Sequence, residues 1–432
     1  MRAFFLRLSV ATACIAIAST LSAQAVRSRE RTFEASETLA ADLRRARIHT
    51  GPFYLLSYLQ FSDLGYNSQF FFPTAQQGGG LSFAVSAPQK LYFVPARKTI
   101  YALTFTPEYA FFSKASAGAQ SGNGWGYLTR GDAHFLLNHI YINPYIQQSN
   151  KLQALSGEIN RIVTQRNETV GVGGELRYSS KTRLLYSASG ERFTYPAARY
   201  QPDNLGSGVE LNGVPIPIQD LDRRTRNARL SLLHHTFPLT SLTLASEWNR
   251  YTFPNAIDKN STRRFLGAGF IRDNGRTILR GEAGPAVLHF SIPGGHDFRG
   301  VTGNLNLSQR LGTKNNMSLG VDRDAEFSIA AGQTYYVADR AMFELDRNAT
   351  RRLTLRFTST VGRDRYPVFT VDPFTNSLGR RLDEFSFTAI GWRYAMRHAR
   401  GGFDIGYYQR RSNFGIDEES GIRLAIALSL SP

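Results

Sequence analysis

The 432-residue sequence predicts an all-β fold: a transmembrane, antiparallel up-and-down β-barrel of about 16–18 strands, with short turns at one end and longer loops at the other. Three observations predict it. In Arg351 to Pro367, "RRLTLRFTSTVGRDRYP", the residues Leu353, Leu355, Phe357 and Val361 alternate with Arg352, Thr354, Arg356, Thr358 and Thr360, so the two faces of one strand meet different media. The connections sort by length, and in the second half of the chain short and longer links alternate one for one. A soluble sandwich has no reason to do this. Finally, no run of about twenty apolar residues follows the N-terminus, so a helical membrane span is excluded and strands must do the crossing.

The first 25 residues, "MRAFFLRLSVATACIAIASTLSAQA", form a targeting segment. Arg2 and Arg7 precede an apolar stretch from Leu8 to Leu21, and Ala23 and Ala25 give an Ala-x-Ala cleavage pattern. Cleavage there also removes Cys14, the only cysteine, and an exported chain without thiols is atypical of disulfide frameworks. Residues 26–52 carry Leu39, Leu43 and Ile48 at roughly helical spacing, which predicts a short amphipathic helix or a disordered lead-in. The triplet Arg44, Arg45 and Arg47 is read as its solvated face.

Residues 53–432 form the barrel. Strands are expected near 53–62, 81–87, 99–112, 124–137, 141–152, 166–179, 182–194, 223–236 and 242–254. They continue near 262–273, 276–290, 298–310, 316–330, 334–348, 353–366, 382–396, 401–411 and 419–430. Asn274–Gly275 is the strongest single hairpin signal. Longer polar links are read at 63–80, 113–123, 153–165, 195–222 and 367–381. Leu230/Leu232, Leu305/Leu307, Phe343/Leu345 and Phe403/Ile405 repeat the outward parity. Phe111–Phe112, Tyr251 with Phe253, Tyr366 and Tyr407–Tyr408 are candidates for an interfacial aromatic girdle. Pro107, Pro144 and Pro285 fall inside strands, where each removes a ladder donor, so irregularities are expected there. The last strand, "ESGIRLAIALSLSP", resembles the C-terminal insertion signal of outer-membrane barrels. Glu419, Gly421, Leu424 and Ile426 carry the match, although the chain ends on Pro432 rather than an aromatic residue.

Catalytic or metal chemistry has no footing in the sequence. His234 and His235 point to opposite faces of a strand, as do His134 and His139, so neither pair offers two ligands to one ion. "GVGGE" at 171–175 sits mid-strand, where glycine eases curvature. No catalytic residues, metal or cofactor are expected. The informative chemistry is charge. The net charge is +17, and Arg229, Arg352, Arg356, Glu344, Asp346 and Asp404 have the parity of pore-lining residues. The longest loop carries Asp203, Glu210, Asp220 and Asp222 ahead of Arg223, Arg224 and Arg226. Asp220, Asp222 and these three arginines are the constriction-loop candidates, against the plainer reading of an ordinary external loop.

Tyr58 to Phe72, "YLQFSDLGYNSQFFF", resembles the first-strand Gly-Tyr-Asp/Asn-Ser-Asn region of the β-barrel porin-2-like outer-membrane proteins. Gly65, Tyr66, Asn67 and Ser68 match, and Gln69 stands where asparagine is expected. The resemblance implies a pore or an export-associated barrel of the bacterial outer membrane with no catalytic residues. The leading function read from the chain is a porin-like channel for small hydrophilic, preferentially anionic solutes. The alternatives are an export or scaffold barrel for exopolysaccharide and, third, a barrel enzyme whose rim triad the sequence does not supply. The implied partners are outer-membrane lipid and lipopolysaccharide, the barrel-assembly machinery, small solutes and a second copy of the chain. Nucleic acid is excluded, because the basic residues are spread over many strands and export removes the chain from that partner.

Overall fold

A computed structural model describes residues 39–430 except 47, 68–79, 97, 114–121, 155–161, 197–207, 212–213, 293–295, 329–332, 372–377, 398 and 415–418. The targeting segment, Asp203, Ser68 and Gln69 lie outside the described residues. The wall is a closed antiparallel barrel of 18 strands. Its first two strands are each interrupted once: β1 comprises Phe53–Ser57 and Leu59–Asn67, and β2 comprises Gly80–Ser86 and Gln89–Ala96. Next come β3 (Thr99–Phe112), β4 (Gly122–Leu136), β5 (Ile140–Ala154), β6 (Ile162–Arg177), β7 (Thr182–Thr194) and β8 (Arg223–Phe237). Five more follow: β9 (Thr240–Thr252), β10 (Ser261–Asp273), β11 (Thr277–Phe290), β12 (Phe298–Leu311) and β13 (Asn315–Phe327). The last five are β14 (Tyr335–Asn348), β15 (Leu353–Val371), β16 (Leu378–Ala395), β17 (Ala399–Ser412) and β18 (Glu419–Leu430). Each pairs with the next, and β18 closes on β1 from Arg423 opposite Asn67 to Leu430 opposite Leu59.

Each expected strand has its counterpart, and the expected boundaries were too short where loops were assumed. β1 runs on to Asn67, β2 resumes after Pro88 as far as Ala96, and β15 reaches Val371. The alternation of short turns and longer loops therefore holds around the whole wall, with β1 beginning and β18 ending at the short-turn end. The Asn274–Gly275 turn shows why a hairpin forms there. Gly275 has φ 77°, and the Asn274 side-chain oxygen accepts the backbone N–H of Arg276 at 3.0 Å and of Thr277 at 2.6 Å. The longest loop holds a small hairpin, Gly208–Leu211 with Val214–Pro217, followed by a 3-10 turn, Ile218–Leu221.

The three prolines leave gaps in the ladder on one side only. The β2–β3 pairing breaks between Ser86/Glu108 and Gln89/Phe105 beside Pro107. The β4–β5 pairing breaks between Asp132/Tyr145 and Phe135/Ile142 beside Pro144. The β10–β11 pairing breaks between Phe265/Ala286 and Ala268/Ala283 beside Pro285. Each gap lies on a side where pairing fails to run through the proline, as a missing N–H requires. At the closing seam Gly65 is needed for a different reason. A Cβ there would collide with the Leu424 carbonyl oxygen, where β1 and β18 both change register.

The outer face is an apolar band. Leu230 is 49 % exposed, Leu232 42 %, Leu355 45 % and Ile405 47 %, with Leu244, Leu266, Val301 and Ile390 also exposed. So extensive an apolar surface is stable against lipid and a liability in water. Trp392, Tyr394 and Tyr407 face outward as girdle residues do. The expected girdle positions Tyr251, Phe253 and Tyr366 do not: Phe253 and Tyr366 are almost fully buried, and Tyr251 stacks edge-on against Phe327 at 4.7 Å inside the wall. Near the long-loop end the inward face carries its own aromatic cluster, including Phe265, Phe290, Phe298 and Tyr335.

Candidate functional site: an ion-paired lumen

The inward face of β8 to β17 carries arginines braced by acids, several of them on other strands. Arg229 on β8 donates from Nη1 to Glu247 on β9 at 2.8 Å and from Nη2 to Glu282 on β11 at 2.6 and 2.8 Å. Asn249 donates to the other Glu247 oxygen at 2.7 Å, and Arg263 on β10 reaches Asp324 on β13 at 2.6 Å. Two of these contacts cross three strands at a time, so they are struts across the concave inner wall.

A second group lies on β14 and β15. Arg356 donates from Nε and Nη2 to the two Asp346 oxygens, both at 2.7 Å, and lies 3.1 Å from Glu344. Asp404 on β17 points over Gly391, and any Cβ at that glycine would strike its carboxylate. Glycine there is what admits the acid to this part of the lumen. Toward the long-loop end Arg340 holds Glu326, whose Oε2 also accepts the Tyr336 hydroxyl at 2.6 Å. Beside it the fully buried Asp383 accepts from both Arg381 and Arg410, each at 2.6 Å. On the other side of the barrel Arg130 pairs with Asp132 at 2.8 Å and lies over the Tyr145 ring, 4.4 Å from its centre. Gly171 leaves the room that the Tyr145 ring occupies, which gives one glycine of "GVGGE" a packing role.

Arg229, Arg356, Glu344, Asp346 and Asp404 lie on the inward face, and Arg356, Glu344 and Asp346 form one cluster. Arg352 is one residue short of β15: it stands in the 349–352 turn with its side chain exposed at the short-turn rim. The constriction-loop set does not form a single face. Asp222 accepts the Tyr195 N–H at 2.7 Å and ties the two feet of the longest loop together. Asp220 sits in the 3-10 turn. Arg223 faces inward over the Phe193 ring, 4.4 Å from its centre, whereas Arg224 and Arg226 share the outward face of Leu230 and Leu232. Period-2 alternation forbids three such neighbours from lining one wall. The insertion-signal residues all lie on β18, with Ile426 turned outward. Among the histidines, His234 bonds Thr182 at 2.9 Å toward β7, His235 bonds Ser241 at 2.6 Å toward β9, and His134 bonds Tyr141 at 2.8 Å.

Sequence reasoning missed where the N-terminal helix goes. Helix α1 (residues 39–45) packs Leu39 and Leu43 against Tyr92 and Ile100 on the inner wall, beside the β2–β3 and β4–β5 turns. Asp42 fastens it, accepting from Lys90 Nζ at 2.8 Å and from the Tyr92 hydroxyl at 2.7 Å. Burial alone would raise the Asp42 carboxyl. The hydrogen bonds from Lys90 and Tyr92, with the charges of Lys90 and Arg45, outweigh it and hold the carboxyl below its ordinary value. The helix therefore occupies part of the short-turn mouth. The signal for this was the Leu39/Leu43 stripe, which needs an apolar partner.

Solved outer-membrane porins share the architecture. A BenF-like porin from Pseudomonas fluorescens Pf-5 matches at TM-score 0.50 and 12% identity, covering 88% of this chain and 99% of that one. Acinetobacter baumannii OccAB4 matches at 0.51 and 9%, covering 88% and 98%. Pseudomonas aeruginosa OpdK, solved with vanillate, matches at 0.52 and 10%, covering 88% and 99%. Identity this low establishes the fold alone. No family model and no curated protein matches the chain, so the narrower resemblance carried by Gly65 to Ser68 has no support beyond those residues.

Proposed function

We propose that the chain is an outer-membrane channel for passive diffusion of small hydrophilic solutes, with a preference for anions, and that it is not an enzyme. The observation that carries this reading is the 18-strand closed wall with apolar residues outside and ion-paired arginines inside. Eighteen strands enclose a lumen wider than side chains alone fill. The short-turn end is then periplasmic and the long-loop end external, the 1–25 segment serves export, and β18 addresses the barrel-assembly machinery. Support for anions comes from the +17 charge and from the vanillate of the OpdK structure, a carboxylate.

Arg229, Arg263, Arg340, Arg356, Arg381 and Arg410 already face acids, so selectivity depends on a balance within each cluster rather than on bare positive charge. Single-channel recording in planar bilayers tests the reading, with heat-modifiable gel migration as the check on folding. Stable open events with an anion-biased reversal potential are expected. A folded barrel that never conducts, even without residues 26–47, would overturn it.

One observation favours the second reading, an export-associated barrel for surface polysaccharide. α1 narrows the periplasmic mouth and is held there by a specific latch, which suits a pore opened by a periplasmic partner. Conductance that appears only after α1 is released supports it.

A further inference from the structure

The outward face near the external end carries a row of arginines that the lumen does not use. Arg192 on β7 stands directly opposite Arg224 on β8, and Arg226 on β8 directly opposite Arg250 on β9. Arg264 on β10 lies one step along, opposite Trp248 on one side and Val287 on the other, and Val287 in turn faces Arg299 on β12. All six are exposed. Five strand-to-strand steps of about 4.8 Å spread them over roughly 24 Å of wall. Among the described residues, carboxylates approach only the two ends of the row: Glu168 on β6 stands directly opposite Arg192, Asp222 also lies near Arg192, and Asp297 lies near Arg299.

Like charges set directly opposite one another on a sheet are destabilising. The neighbouring sector answers the same problem with acid: Arg323, Arg363 and Arg365 surround Asp339 on the same outward face. At the periplasmic end the outward arginines are also differently placed. Arg272 has Thr240 and Leu279 for partners, and Arg347 has Asn315 and Leu355. Arginine facing arginine thus occurs in the row at the external end, immediately above the apolar residues Leu230, Leu232, Leu244 and Leu266. Trp248, 38 % exposed, stands between the two levels.

We propose that Arg224, Arg226, Arg250 and Arg264 form a binding site for the phosphate groups of an outer-leaflet phosphorylated glycolipid, whose acyl chains lie on the apolar residues below. The guanidinium fork suits phosphate oxygens, and a bridging phosphate supplies the negative charge that the opposed Arg226–Arg250 pair lacks among the described residues. The proposal rests on the outer-membrane reading above, but it does not depend on the pore's conducting.

The test uses the full mature chain folded in detergent, with heat-modifiable migration showing that the barrel is closed. Binding is followed with bisphosphorylated lipid A, its dephosphorylated form and inorganic phosphate as probes. Wild type is expected to bind the phosphorylated lipid and to gain thermal resistance from it, with little response to the other two. R226Q/R250Q is expected to lose about tenfold to thirtyfold in affinity, as removing two membrane-facing charges implies. R272Q, at the other rim, should be unchanged. Without lipid the double variant should be no less heat-resistant than wild type, because an opposed like-charged pair has been removed, and this guards against a trivial folding defect. Equal binding of the dephosphorylated lipid, competition by inorganic phosphate alone, or full retention of binding by R226Q/R250Q would each overturn the proposal. Loss of the heat-modifiable band in wild type would instead reject the barrel reading.

Discussion

Inside the wall and outside it, the same side chain is treated in opposite ways. Inward arginines such as Arg229, Arg356 and Arg381 are each clasped by carboxylates at 2.6–2.8 Å, Arg229 reaching across three strands to find one. Along the external outward row, Arg226 and Arg250 face each other instead, and Arg192 faces Arg224. The difference is one of dielectric and access. A cation tucked against a partly dry inner wall must bring its counter-charge with it. A cation at the headgroup level can take one from the membrane. The two sets of arginines should therefore respond to mutation with opposite signs.

The largest effect is expected at Asp383. It is fully buried and accepts from Arg381 and Arg410 at once, so Asp383→Ala would strand two cations at one point. Breaking a buried pair in this way costs about 3–5 kcal/mol. The temperature at which the heat-modifiable band collapses should fall sharply. Removing Arg410 as well should restore part of the loss, since one cation is then gone. A variant as heat-resistant as wild type would mean that the inner wall is wet, and the contrast between the faces would fail.

The α1 latch comes next. Asp42→Ala removes the acceptor of both Lys90 and Tyr92 and leaves them facing an apolar interface, a loss of about 1–3 kcal/mol at the helix contact. In bilayers this should raise open probability, and deleting residues 26–47 should raise conductance as well. The pH dependence has a definite sign. The Asp42 carboxyl is depressed in the folded state, so the latch is complete above the ordinary carboxylate value and is lost as pH falls through the depressed one. Acid on the short-turn side should open the pore in wild type and do nothing further in the Asp42 variant. An unchanged channel would show that α1 only decorates the mouth.

These two sites also mark where the sequence stops being legible. The eighteen strands were readable because alternation and turn chemistry are local, as in Leu353 to Val361 or Asn274–Gly275. The faces of Arg229 and Arg356 followed from the same parity. Their partners did not. Arg229 and Glu282 are 53 residues apart, Arg263 and Asp324 are 61, and Asp42 and Lys90 are 48. Only barrel curvature brings them together, and period-2 reasoning knows nothing of curvature. Arg352 was misplaced by a single residue at a turn. Arg224 and Arg226 adjoin Arg223 in the chain, but alternation turns them to the opposite face. Tyr251, Phe253 and Tyr366 stand at girdle height along their strands but on the inward face, and height alone does not fix the face.

The smallest effect, and the most direct probe of the inner balance, is on ion preference. In the β14–β15 cluster one arginine, Arg356, meets two acids, Glu344 and Asp346, so the group carries a net negative charge when all three are ionised. Asp346→Asn should therefore move the reversal potential toward anions, and Arg356→Gln should move it toward cations. One charge felt at about 8 Å in water is worth roughly 0.5 kcal/mol, or about a twofold change in relative permeability. Arg352→Gln should have less effect than either, because that side chain stands exposed at the rim. At high salt the shifts should shrink, and if they persist the constriction is narrower than a Debye length. If Asp346→Asn and Arg356→Gln both leave the reversal potential where it was, solutes do not pass this cluster. Selectivity would then have to be sought at the Arg229–Glu247–Glu282 struts, where Glu282→Gln poses the same question one cluster along the wall.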